Sequence, residues 1–112
     1  MPVGIKNYSD PAASAEATLA DNIVATDPGV WVGVRGLEKK TIEIIINGAA
    51  TVQIFVSNLP TVPANSDDHA QYGINVTGSG LVEVKVPVKW MKIKVSALTP
   101  GASVSAYMQG CP

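Results

Sequence analysis

Eight short runs rich in Val, Ile and Thr, bounded by turn residues, most constrain what this chain can fold into. They are Ala17–Ala25, Val30–Arg35, Lys40–Asn47, Thr51–Ser57, Gln71–Thr77, Leu81–Val86, Lys89–Ala97 and Ser103–Gln109. Asp27-Pro28-Gly29, Asn47-Gly48, Gly78-Ser79-Gly80 and Thr99-Pro100-Gly101 punctuate them with residues that supply turn geometry. Short β-branched runs at regular spacing predict an all-β fold, a single β-sandwich or jelly-roll-like domain of about eight short antiparallel strands. Residues 1–16 are Ala-, Pro- and Ser-rich without alternation and are read as an N-terminal arm, leaving 17–112 as the β domain. Asp10-Pro11 could cap a short helix there, but a helix of about ten residues is marginal in water, so an extended arm is equally compatible.

Alternation assigns faces, because successive strand side chains point to opposite sides. Val82, Val84 and Val86 share one side, against Glu83 and Lys85. Met91, Ile93, Val95 and Ala97 form a second apolar row, opposite Trp90, Lys92, Lys94 and Ser96. Ile42, Ile44 and Ile46 form a third, and the Asn47-Gly48 pair predicts a hairpin placing Val52, Ile54 and Val56 beside it. Pro87 marks a bulge or edge between the valine strand and the Trp90 strand. Ile45 and Phe55 fall on the faces opposite their rows, which calls for cover from another layer of the same chain or from another subunit.

With 112 residues, 46% of them apolar and 15% charged, the chain can bury one core and does not have the composition of a disordered segment. A net charge of −1 gives no general attraction to nucleic acid or to an anionic membrane surface. No secretory signal is expected from Met1-Pro2-Val3-Gly4-Ile5-Lys6, and Ile44-Ile45-Ile46 is far short of the roughly 20 apolar residues of a membrane helix. The single cysteine, Cys111, excludes an internal disulfide and is expected to be a mobile terminal thiol in a reducing cytosol.

Little in the chain points to catalysis. There is one arginine and one histidine, and no Ser-His-Asp or Cys-His arrangement is readable. Asp67-Asp68-His69 is the only cluster with metal-ligand chemistry, but adjacent residues diverge and no second ligand group lies nearby in sequence, so a solvated polar loop is expected. The enclosing stretch Ser57–Ala70 is long and irregular, which makes it a candidate contact loop. Gly78-Ser79-Gly80 lacks the helix and lysine of a phosphate loop and reads as a hairpin turn. No enzymatic activity, cofactor or metal is expected.

Charge is unevenly spread. Lys85, Lys89, Lys92 and Lys94 outnumber Glu83 within 81–98, whereas Asp10, Glu16, Asp21 and Asp27 outnumber Lys6 within 1–30. Such a lysine row is a solvated edge that discourages sheet aggregation, or one of two complementary faces in an assembly. The arm is expected to be mobile in the free protein and to order only where it lies across a neighbouring subunit, its acidic groups approaching residues 85–94.

The run Thr51-Val52-Gln53-Ile54-Phe55-Val56-Ser57-Asn58, the strand Gly80–Val86, the run Pro87-Val88-Lys89-Trp90-Met91-Lys92-Ile93-Lys94-Val95 and the ending Gly101–Tyr107 resemble small β-sandwich virion proteins of tailed bacteriophages. The likeness spans residues 30–110. It implies a non-enzymatic virion protein made in the cytoplasm of a bacterial host. Such a protein would decorate or cement the capsid, with the major capsid protein as partner, or serve as an accessory tail, fibre or connector component. It also implies a homo-oligomer, with a trimer favoured. Candidate interface residues are Trp31, Ile45, Phe55 and Trp90 as anchors, with Lys85, Lys89, Lys92 and Lys94 for orientation. The alternative is a carbohydrate-binding β-sandwich, with Trp31, Trp90, Tyr72 and Tyr107 as stacking platforms for a glycan.

Overall fold

A computed structural model describes residues 15–112, so the first fourteen positions of the arm lie outside the described residues. Among the described residues eight antiparallel strands form: β1 (Ala15–Ile23), β2 (Val32–Gly33), β3 (Lys39–Asn47), β4 (Ala50–Ser57), β5 (Ala70–Gln71), β6 (Gly80–Val84), β7 (Trp90–Leu98) and β8 (Ser103–Cys111). They make two four-stranded sheets, ordered β1-β8-β3-β6 and β2-β7-β4-β5. The first strand pairs with the eighth, the second with the seventh, the third with the sixth and the fourth with the fifth. The chain is therefore one long hairpin, closed at its tip by residues 58–69 and rolled until β3 meets β8 and β4 meets β7. That is the strand order of a jelly roll.

The core lies between the sheets. Ile42, Ile44, Val84, Val104, Ala106 and Met108 project from one side, and Val52, Ile54, Met91, Ile93 and Val95 from the other. Burial in β8 runs intermediate, buried, intermediate, buried along Ser103–Ala106, the period of two that its sequence carries. Val84 is wholly buried, and shortening it to Ala should cost about 2 kcal/mol, the low end for truncating a buried aliphatic side chain. Chemical denaturation checks this, and an unchanged midpoint would mean that the inward row is misassigned.

Several details differ from expectation. The arm is shorter at its C-terminal end than the composition indicates: Ala15 and Glu16 already pair with Gly110 and Gln109. Asn47-Gly48 does not close a hairpin, because β3 and β4 belong to different sheets and their isoleucine and valine rows face each other across the core. A type I′ hairpin needs positive φ at both central residues, and here only Gly48 has it (φ 89°). The Gly48 corner packs on Ala102, whose Cβ would be 2.8 Å from a Cβ at position 48.

Ala97 is exposed rather than inward. Thr51 pairs with Ala97 but Val52 with Val95, so the extra residue reverses the facing of β7 and turns Leu98 toward the core instead. Val86 lies beyond the end of β6 and is 41% exposed. The Gln71–Thr77 run holds only Gln71 of β5, plus a single bridge from Val76 to Val52. Gly73 at φ 75° and the exposed Ile74 interrupt it. Cys111 is exposed, but it ends β8 opposite Lys39 and is not on a free tail.

Candidate functional site

The two sheets have unlike outer faces. On the β2-β7-β4-β5 sheet, the 58–69 loop folds back as a roof. The Trp31 indole Nε1 donates to the Ala64 carbonyl at 2.9 Å and the Trp90 Nε1 to the Leu59 carbonyl at 3.0 Å. Lys92 Nζ donates to the Asn65 carbonyl at 2.6 Å and to Asp68 Oδ1 at 3.0 Å, while Lys94 Nζ donates to Asp68 Oδ2 at 2.7 Å. Both tryptophans and two lysines of this face are thus tied to one loop. Lys92 sits 5.2 Å from the Trp31 ring centroid and 5.6 Å from that of Phe55, so its charge faces two aromatic rings as well as a carboxylate.

This roof corrects four of the candidate interface residues. Trp31 and Phe55 are 6% exposed and Lys92 is fully buried, so none can anchor a partner; Lys94 is held by Asp68. Phe55 is covered by its own chain: the Lys92 and Lys94 ammonium groups, both held by Asp68 of the 58–69 loop, lie 5.6 and 5.9 Å from its ring centroid. The same contacts explain why Asp67-Asp68-His69 is not merely a solvated loop. Asp68 neutralises two ammonium groups, and hydrogen bonds from Lys94 and then Lys92 hold its carboxyl below the usual aspartate range. His69, at φ 47°, meets Trp31 edge-on at 5.9 Å. Among the described residues no group of three or more His, Cys, Asp or Glu is placed to hold a metal.

The end of the sandwich beside this roof stays open. Leu59, Val62 and Val86 are exposed there, with Arg35, Lys39 and Lys85 also exposed and Lys89 half-buried. The β2–β3, β4–β5 and β6–β7 connections all lie at this end, which is why these residues gather although they are far apart in sequence. Lys85 makes only an exposed pair with Glu83 at 3.4 Å, and such a pair contributes little. Trp90 is half-buried at the same end. Of the sequence-derived candidates, Trp90, Lys85 and Lys89 therefore lie together, and Ile45, 38% exposed, lies apart on the other sheet.

Beneath this end sits a residue that sequence reading missed. Lys40 shares the inward facing of Ile42 and Ile44, the signal that could have found it, and is fully buried. Its ammonium donates to the carbonyls of Leu37 at 2.7 Å and Val86 at 2.9 Å, and burial pushes its pKa down. It ties two connections together where the sandwich would otherwise open. Because the folded pKa lies below the unfolded one, the unfolded chain binds more protons between the two, and this group adds stability as pH rises through that window. Parent protein should thus gain stability relative to Lys40→Met as pH rises from neutrality towards the ordinary lysine pKa. Parallel urea titrations would show it, and a constant difference would mean that burial does not perturb Lys40.

The outer face of the β1-β8-β3-β6 sheet has no roof among the described residues. It forms an open groove of about 560 Å³ across all four strands. Register sets two transverse rows: Glu16, Gln109, Thr41 and Glu83, then Thr18, Tyr107, Glu43 and Leu81. Leu81 is 72% and Tyr107 41% exposed. Of the four aromatics considered for stacking, only Tyr107 lies in the groove. Trp31 and Trp90 are engaged by the roof, and the half-buried Tyr72 donates its hydroxyl to the Glu83 carbonyl at 3.2 Å.

No family model matches the chain, and no curated protein matches it. The solved structure of the SPBc2 prophage-derived protein YomS is similar, with a TM-score of 0.71 over 96% of this chain and 100% of that one. Identity is 7%, so the likeness is one of fold.

Proposed function

We propose that this protein is a non-enzymatic structural component of a bacteriophage particle, and more specifically a capsid decoration subunit that binds the major capsid protein and stabilises the head. The observation that carries the reading is the whole-chain likeness in fold to a prophage-derived protein, at full coverage of that chain. The jelly-roll strand order supports it, since viral capsid domains use that architecture. So does the loop-bearing end, where the exposed apolar side chains of Leu59, Val62 and Val86 stand among Arg35, Lys39, Lys85 and Lys89. A contact of this composition gains its energy from a few apolar anchors and its orientation from the cations.

In this reading the chain is made in the cytoplasm of a bacterial host and resides in the virion as a homo-oligomer, with a trimer favoured. Purified protein added to undecorated heads of its parent phage should bind and raise their thermal stability, and Val62→Asp should abolish both effects without changing the melting of the free protein. Light scattering of the free protein should report about three chains per particle. Heads that neither bind the protein nor gain stability would overturn the decoration role. Six or twelve copies per virion, rather than hundreds, would instead place it as an accessory tail or connector component.

A further inference from the structure

We infer that the groove on the outer face of the β1-β8-β3-β6 sheet binds an uncharged, hydroxyl-rich oligosaccharide, with Tyr107 as its stacking platform and Glu16 and Glu43 as its principal hydrogen-bond acceptors. This goes beyond the virion reading and does not depend on it. The groove's volume falls within the roughly 300–1,000 Å³ usual for small-molecule sites. Its chemistry is mixed. A tyrosine ring and the Leu81 side chain offer apolar surface, while Glu16, Glu43, Thr18, Thr41 and Gln109 offer acceptors and donors around it.

The register places these groups in a useful order. Tyr107 is directly opposite Glu43 on one side and Thr18 on the other, so a ring lying on the tyrosine has an acceptor at one edge and a hydroxyl at the opposite edge. Glu16 and Glu43 stand on strands separated by β8 and in adjacent rows, about 12 Å apart along the diagonal of the sheet. A chain of linked sugar rings spans such a distance, and a single ring does not. Each carboxylate can accept from a pair of neighbouring hydroxyls, and neither is within ion-pair distance of a cation among the described residues.

Charge narrows the occupant. Among the described residues Glu16 and Glu43 are the charged groups lining the groove, with Glu83, Lys39 and Lys85 further along the same face, so the lining itself is acidic and disfavours nucleic acid and acidic glycans. A second copy laid face to face would oppose these glutamates to their own kind, which disfavours self-association through this surface. A neutral polyol carries no such penalty and matches both the apolar and the polar parts of the lining.

The test is a two-dimensional amide NMR titration of the intact protein with maltotetraose and, separately, chitotetraose, to about 10 mM, which detects dissociation constants in the millimolar range. Shifts centred on Thr18, Glu43 and Tyr107 with at least one of them are expected. Tyr107→Ala should weaken that binding at least about tenfold while melting as the parent does, and Tyr107→Phe, which keeps the ring, should retain most of it. Glu43→Gln provides a second variant if Tyr107→Ala fails to fold, and should also weaken binding. No shift with either sugar, shifts confined to the 58–69 end, or undiminished binding by both Tyr107→Ala and Glu43→Gln would overturn the assignment. Particle incorporation should be indifferent to Tyr107→Ala, so loss of the sugar site and loss of the virion role are separate results.

Discussion

Asp68→Ala is expected to destabilise the fold by about 3 kcal/mol, although Asp68 is itself partly exposed. Its side chain is 35% accessible, but the partner it neutralises, Lys92, is fully buried. Removing one member of a buried pair leaves the other charge uncompensated, an effect of about 3–5 kcal/mol, and the exposure of Asp68 argues for the low end. Lys92→Met should be far milder, because an apolar side chain of similar length fits between Trp31 and Phe55 without a charge to desolvate. Since the folded pKa of Asp68 is depressed, the stability it contributes is fully present above the unfolded aspartate value of about 3.9 and disappears as pH falls through the folded value. The gap between parent and Asp68→Ala in urea midpoint should therefore close in acid. Equal losses for Asp68→Ala and Lys92→Met at neutral pH would mean that the charge is not what holds the loop.

A larger loss is expected from Gly29→Val, about 4 kcal/mol or more. Gly29 has φ 85°, a conformation that β-branched residues avoid. A Cβ there would stand 2.1 Å from the Ile93 carbonyl oxygen and 2.9 Å from its carbon, so the obstruction is backbone and cannot rotate aside. The adjoining bridge, Asp27 N to Val95 O at 3.0 Å and Val95 N to Asp27 O at 2.9 Å, holds the β1–β2 connection against β7 and would be pushed off. Strain at the dihedral and displacement of a packed segment each contribute about 1–3 kcal/mol. Gly36→Ala is the control. It shares the positive φ of 86° but has no atom within 4 Å of the added methyl, so only the dihedral strain should be felt, about 1 kcal/mol. Thermal melts of the two variants separate packing from strain, and similar losses would mean that the close approach to Ile93 is unimportant.

How far the fold could be read in advance depended on which interactions are periodic. β3, β4, β7 and β8 were legible because a period of two survives there, inward isoleucines and valines alternating with polar residues, whereas β5 meets the Gln71–Thr77 run only at Gln71. The bulge that exchanges Ala97 for Leu98 was not, since an extra residue in one strand is defined only against its partner. Nor was the role of Asn47-Gly48, because a residue able to turn the chain does not specify whether the strands it joins share a sheet. The candidate site was legible in part. Lys85, Lys89 and Trp90 are sequence neighbours and do lie at one end, but Leu59 and Val62 join them only through the roll of the hairpin. Lys92 and Phe55 could not be distinguished from exposed residues by alternation, which identifies the outer face of a sheet but not whether a loop lies over it. The absence of a second apolar period in the 58–69 loop concealed its packing, which rests on carbonyl and carboxylate acceptors for indole and ammonium donors.

The pairing of the first described strand with the last has a consequence for folding. β8 lies between β1 and β3, so it is an interior strand of its sheet although it is the last of the eight described strands in sequence. Without β8, β1 has no hydrogen-bonding neighbour among the described strands, and β3 keeps only its edge with β6. The tip of the hairpin, β4 through β7, can pair earlier, since its partners are nearer in sequence. Closing the longest loop last is entropically the slowest step, and contacts this distant in sequence slow folding generally. A truncation that removes β8 would thus not trim an edge but split one sheet through its middle.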